Sequence, residues 1–134
     1  MVDSVDRFQT VGELLADARA GLDRLTPVEA ASAAEDGAVL VDIRSEWQRR
    51  SDGLIPAARF IPRNVLEWRL DPASPHRDEA SARRDVKLVL ICNEGYQSSL
   101  AAATLRRFGL DATDVIGGFQ AWREAGLPLA RGGG

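Results

Sequence analysis

Apolar residues along the chain gather into short runs, and the stretches between them carry helical stripes. Ala38 to Asp42 (AVLVD) and Val86 to Ile91 (VKLVLI) are nearly continuous runs, the pattern of strands covered on both faces. Ala112 to Ile116 predicts another strand, and Arg59-Phe60-Ile61, just before Pro62, a shorter one. Elsewhere the period becomes helical. Val11 to Ala20 sets Val11, Leu14, Leu15 and Ala18 on one stripe. Ser98 to Phe108 does the same with Leu100, Ala101, Thr104, Leu105 and Phe108. Thr26-Pro27-Val28-Glu29 and Ser45-Glu46-Trp47-Gln48 have the form of capping boxes, so a helix starts at each. Asn64 to Leu70 and Phe119 to Glu124 add two more helices, and Gly37, Gly53 and Gly109 stand where helices stop.

Strands alternating with helices predict an α/β fold, a mainly parallel central sheet flanked by helices on both faces. Residues 25–130 are expected to form that domain, residues 1–24 a helical extension packed on it, and residues 131–134 a flexible tail. Parallel strands joined by crossovers end on a common edge, and sites in such sheets collect outside it. That edge comprises Asp42 to Arg44, Arg63 and Asn64, Cys92 to Ser98, and Gly117 to Phe119.

Composition narrows the chemistry. The 134 residues are 45% hydrophobic and 28% charged, which suits one globular domain. The net charge of −3 gives no global basic field for nucleic acid. No apolar run approaches the roughly 20 residues of a membrane span, and Met1 to Thr10 lacks the apolar core of a secretory signal. A single cysteine excludes an internal disulfide, and one cysteine with one histidine cannot build a zinc cage. No metal, cofactor, nucleic acid or membrane is expected, the expected location is the cytoplasm, and composition leaves the oligomeric state open.

Cys92 falls on the common edge. Cys92-Asn93-Glu94-Gly95-Tyr96-Gln97-Ser98 links a buried strand to a helix start, and a tight loop there turns successive N–H groups inward as an anion cradle. Gly95 supplies a positive-φ position. Cradle and helix dipole both favour thiolate over thiol, which marks Cys92 as a nucleophile. The plainer alternative is a cysteine packed as a small hydrophobe. Ser98 is also a candidate N-cap. Tyr96 and Phe119 are candidates for a pocket wall, Trp47, Trp68 and Trp122 for packing anchors, and His76 for a surface residue.

From about Leu25 to Leu129 the chain resembles single-domain rhodanese-like sulfurtransferases. The matching pieces are Val41-Asp42-Ile43-Arg44, Gly53-Leu54-Ile55-Pro56-Ala57-Ala58 before Phe60-Ile61-Pro62, the loop from Cys92, and Gly117-Gly118-Phe119-Gln120-Ala121-Trp122 followed by Gly126-Leu127-Pro128. The resemblance implies that Cys92 takes a sulfane sulfur from thiosulfate or a persulfide, holds it as a persulfide and passes it to a thiophilic acceptor. Donor and acceptor would be small molecules or proteins. The family's loop, C-x-x-G-x-R, ends here on Gln97, and Glu94 adds a negative charge, so an anionic donor loses its usual clamp. Leu54 and Gln48 stand where the family carries histidine and glutamate. Arg44 and Arg63 are candidates to supply the missing cation; the alternatives are an ion pair with Asp42 and a solvated loop charge. Asp42 is expected to act as an orienting acceptor. Competing functions are a low-turnover binding or sensing module on the same fold and a phosphatase or arsenate-reductase-like enzyme.

Overall fold

The computed structural model describes residues 8–131, so residues 132–134 of the expected tail and residues 1–7 of the extension lie outside the described residues. The elements run α1 (Val11–Ala20), α2 (Pro27–Glu35), β1 (Val39–Asp42), α3 (Glu46–Asp52), β2 (Arg59–Phe60), a 3-10 turn (Arg63–Val65), α4 (Leu66–Leu70), β3 (Lys87–Ile91), α5 (Gln97–Arg106), β4 (Asp111–Asp114) and α6 (Gly118–Glu124). The four strands lie in the order β2-β1-β3-β4, and every pair is parallel. The predicted mainly parallel sheet is therefore wholly parallel. A parallel bridge from Leu25 to Val115 extends the β4 edge by one residue.

Local chemistry sets the helix starts. Thr26 and Ser45 close the two predicted capping boxes, and Thr10 with Glu13 closes a third at α1. Each such cap contributes about 1 kcal/mol. Gly37 after α2 takes φ +106°, the left-handed stop expected there.

Side-chain alternation along the strands divides the interior into two layers. Val41, Leu88, Leu90 and Cys92 face one core with Leu66 and Leu70 of α4 and Ala101, Ala102 and Leu105 of α5. Leu40, Val89 and Ile91 face the other, with Ala30 of α2 and Phe119 and Trp122 of α6. The nucleophile candidate thus emerges on the α5 side of the sheet. Helix α1 packs against α5 as an outer layer. Only half of its expected apolar stripe faces inward: Leu15 and Ala18 are half-buried together with Arg19, while Val11 and Leu14 are exposed. Two of the three tryptophans correct their expected role. Trp47 is 73% exposed and Trp68 59%, and only Trp122 anchors packing, its indole N–H donating to the Pro128 carbonyl at 3.0 Å.

Candidate active site

Strand β3 ends at Ile91, and Cys92 begins the loop that turns into α5. The turn is possible because Gly95 takes φ +87°, and because it has no side chain: a Cβ there would lie 2.8 Å from the Gly117 nitrogen. Gly118 allows an equally close approach, since its Cβ would stand 2.5 Å from the Cys92 carbonyl oxygen. With both glycines in place, the start of α6 docks on the loop. Phe119 N–H donates to the Cys92 carbonyl at 2.7 Å, Gln120 N–H to the Asn93 carbonyl at 3.1 Å, and the Gln120 amide to Asn93 Oδ1 at 2.9 Å.

The Cys92 sulfur is more enclosed than its place at a strand exit implies, with 2% of the residue exposed. Gly95 N–H donates to Sγ at 3.2 Å. The amides of Glu94, Tyr96, Gln97 and Ser98 have no acceptor among the described residues, so these donors remain unspent around the turn. Ser98 is not the helix cap. Tyr96 occupies the cap position, and Ser98 lies inside the helix, fully buried, with its hydroxyl 3.2 Å from Cys92 Sγ.

Behind the sulfur lies a carboxylate that sequence reasoning missed. Asp114, at the end of β4 and fully buried, accepts from Ser98 Oγ at 2.7 Å and Ser99 Oγ at 2.8 Å. Arg24 adds a fork, Nε to Oδ1 at 2.8 Å and Nη2 to Oδ2 at 3.2 Å. The thiol can donate to Ser98, and Ser98 to Asp114. If the sulfur loses its proton, the Ser98 hydroxyl can turn to donate to it, because Ser99 and Arg24 still satisfy Asp114. A charged residue inside a strand covered on both faces was the available signal.

The other predicted residues separate. Asp42 is an acceptor, as expected, but for arginines: Arg44 binds it through Nε at 3.0 Å and Nη2 at 2.7 Å, and Arg49 Nε approaches to 3.5 Å. Arg44 is fully buried, also donates to the Gly53 carbonyl at 2.8 Å, and lies 3.8 Å over the Phe119 ring. None of its hydrogen bonds reaches the Cys92 loop, so it does not stand in for the loop arginine. Arg63 is spent on Glu67 at 2.8 Å. Phe119 is fully buried core rather than pocket wall, while Glu94, Tyr96 and Gln97 are exposed and Asn93 half-buried. A cavity of about 420 Å³ lies on the opposite face, lined by Leu40, Ile55, Trp122 and Leu127, and holds no nucleophile. Among the described residues no group of three or more His, Cys, Asp or Glu is arranged to hold a metal, and no helix is long and apolar enough to cross a membrane.

Comparison with known proteins follows the same geometry. The rhodanese-like domain model matches residues 26–125. Thiosulfate sulfurtransferase GlpE of Pseudomonas savastanoi pv. phaseolicola is 38% identical over 101 residues, covering 75% of this chain and 86% of that protein. A protein of unknown function from Rhodopseudomonas palustris, RPA3614, described as a possible tyrosine phosphatase, superposes with TM-score 0.83 at 33% identity. That likeness covers 96% of this chain and 98% of the other, too much to leave out the N-terminal extension. The polysulfide-sulfur transferase homodimer of Wolinella succinogenes has the same fold, with TM-score 0.72 at 22% identity over 96% of this chain and 93% of that one. On its matched residues and its fold, the chain belongs to the rhodanese-like domain family.

Proposed function

We propose that the chain is a sulfurtransferase that carries a sulfane sulfur as a persulfide on Cys92. The observation that supports this most is the Gly95 N–H on the sulfur at 3.2 Å, inside a loop whose neighbouring amides are unspent. Such donors stabilise a thiolate and then the outer, negatively charged sulfur of a persulfide. With thiosulfate as donor, the Cys92 thiolate attacks the sulfane sulfur, a new S–S bond forms, the old one breaks, and sulfite leaves with its electron pair. A thiolate acceptor then attacks the outer sulfur, leaves as a persulfide and returns Cys92 as thiolate. The exchange needs free thiols and so a reducing compartment such as the cytoplasm. Asn93 through Ser98 would line the persulfide.

Gln97 and Glu94 argue for a less anionic donor than thiosulfate, such as a thiol persulfide. Phosphoryl transfer, suggested by the description of the R. palustris relative, lacks a loop cation to hold its equatorial oxygens in a fork. The test is incubation with thiosulfate and, separately, with glutathione persulfide, followed by intact mass. One added sulfur that cyanide removes, absent in Cys92→Ser, is the expected outcome. No adduct from either donor while Cys92 alkylates readily would favour a binding module, and hydrolysis of p-nitrophenyl phosphate without sulfur uptake a phosphatase. Gln97→Arg is expected to raise uptake from thiosulfate more than from the persulfide.

A further inference from the structure

The segment that precedes the family match reaches into the Cys92 loop. Arg19, at the end of α1, donates through Nη2 to the Gly95 carbonyl at 2.8 Å and through Nε to Ser99 Oγ at 3.0 Å. Arg24, just before the Leu25 bridge, donates through Nη2 to the same carbonyl at 3.1 Å while its fork holds Asp114. Two guanidinium groups therefore grip one peptide oxygen of the loop. The two differ in charge balance. Arg24 is 15% exposed and neutralised by Asp114. Arg19 is half-buried and has no carboxylate partner among the described residues; its remaining contact is the Tyr96 ring, 5.9 Å from the guanidinium carbon.

Geometry gives that grip a direction. The peptide is trans, so the Gly95 C=O and the Tyr96 N–H point opposite ways. Fixing the oxygen on the two arginines aims the Tyr96 N–H away from the extension, where it has no acceptor among the described residues. A cation on the carbonyl also polarises the peptide and strengthens its N–H as a donor.

We infer that Arg19 and Arg24 are positioning residues for the sulfur site, and that Arg19, acting from behind the loop, supplies the positive charge that Gln97 does not. The role rests on the sulfurtransferase reading, in which the loop must hold an anionic sulfur on Cys92. The extension is then a working part of the site. It orients one unspent amide directly and, through Arg24, Asp114 and Ser98, the hydroxyl that touches Cys92.

The test uses the full chain and two probes of equal shape and different charge, iodoacetate and iodoacetamide. Alkylation of Cys92 is followed by mass, and the ratio of the two rates reads the field at the sulfur without requiring any transfer activity. Arg19→Met is expected to lower the iodoacetate-to-iodoacetamide ratio several-fold and to slow sulfur uptake from thiosulfate about tenfold, the loss of one charge-assisted hydrogen bond. Arg19→Lys, which keeps the charge, is expected to recover most of the ratio. An unchanged ratio in Arg19→Met, with uptake equal to the parent's, overturns the inference. A lowered ratio in Arg19→Met, with a parent chain that takes sulfur from no donor, overturns the sulfurtransferase reading and leaves only the field of Arg19 at Cys92 standing. A parent Cys92 that neither alkylates nor takes up sulfur overturns both.

Discussion

Two arginine–aspartate pairs with buried carboxylates stand at strand ends in this molecule, and they are built differently. At the end of β1, Asp42 is held by Arg44, two residues on, and approached by Arg49 from the next helix. At the end of β4, Asp114 is held by Arg24, ninety positions away, and by the hydroxyls of Ser98 and Ser99. The first pair is closed. Its hydrogen-bond donors are the Arg44 guanidinium, fixed in a fork and stacked on Phe119, and the Arg44 backbone N–H, and neither is a rotatable hydroxyl. The second is open on one side, because the Ser98 hydroxyl carries one proton and can choose between a carboxylate and a sulfur. The two ion pairs differ in that one donor to Asp114 is a rotatable hydroxyl that also touches Cys92, which under the proposed function makes this pair part of the chemistry.

Mutation can break that contrast. Arg44→Met leaves Asp42 buried with only Arg49 near it and is expected to cost about 3–5 kcal/mol in urea unfolding. Sulfur uptake per folded molecule should stay at the parent level, and a matching loss of uptake would show that the β1 pair also serves the site. Asp114→Asn keeps the shape but removes the charge. It is expected to cost about 1–3 kcal/mol and also to slow sulfur uptake by Cys92 about tenfold; a stability loss alone would reduce this pair to scaffold as well. The smallest effect belongs to a third fork, Arg59 on Asp78, which ties β2 to the polar loop at 2.8 Å per bond. Burial pushes the Asp78 carboxyl up, but hydrogen bonds from Arg59 and Ser81 and the charges of Arg59 and Arg69 outweigh it and hold it below its ordinary 3.8. A lowered carboxylate adds stability above its ordinary value and loses it as pH falls through the lowered one. Asp78→Asn should therefore cost under about 1 kcal/mol at neutral pH, and the gap should close in acid. A gap that persists at low pH would mean the contact is not ionic.

Much of this architecture can be read from the chain because its causes are local. The runs at β1 and β3, the boxes at Thr26 and Ser45, and the turn at Gly95 each depend on residues within one or two helical turns. The helix boundaries shift by only one or two residues, as at α5, which starts at Gln97 rather than Ser98. Cys92 is legible for the same reason, by its place at the exit of an apolar run. What supports it is not. Arg19 and Arg24 reach Gly95 across 76 and 71 positions of sequence, and Arg24 reaches Asp114 across 90, and no period or spacing records such meetings. Arg44 and Arg63 were natural candidates by position, but each finds a carboxylate nearer at hand. Trp47 and Trp68 mislead because a large aromatic in an amphipathic helix usually packs inward, and these two do not.

The loop is closed from both ends of the chain, by Arg19 and Arg24 on one side and by residues 117–120 on the other. During synthesis Cys92 leaves the ribosome before that second clamp has been made. A nascent chain therefore carries a thiol whose loop is not yet clamped, and that loop takes its final shape only when α6 docks. On the proposed function, completing the fold is also what completes the sulfur site.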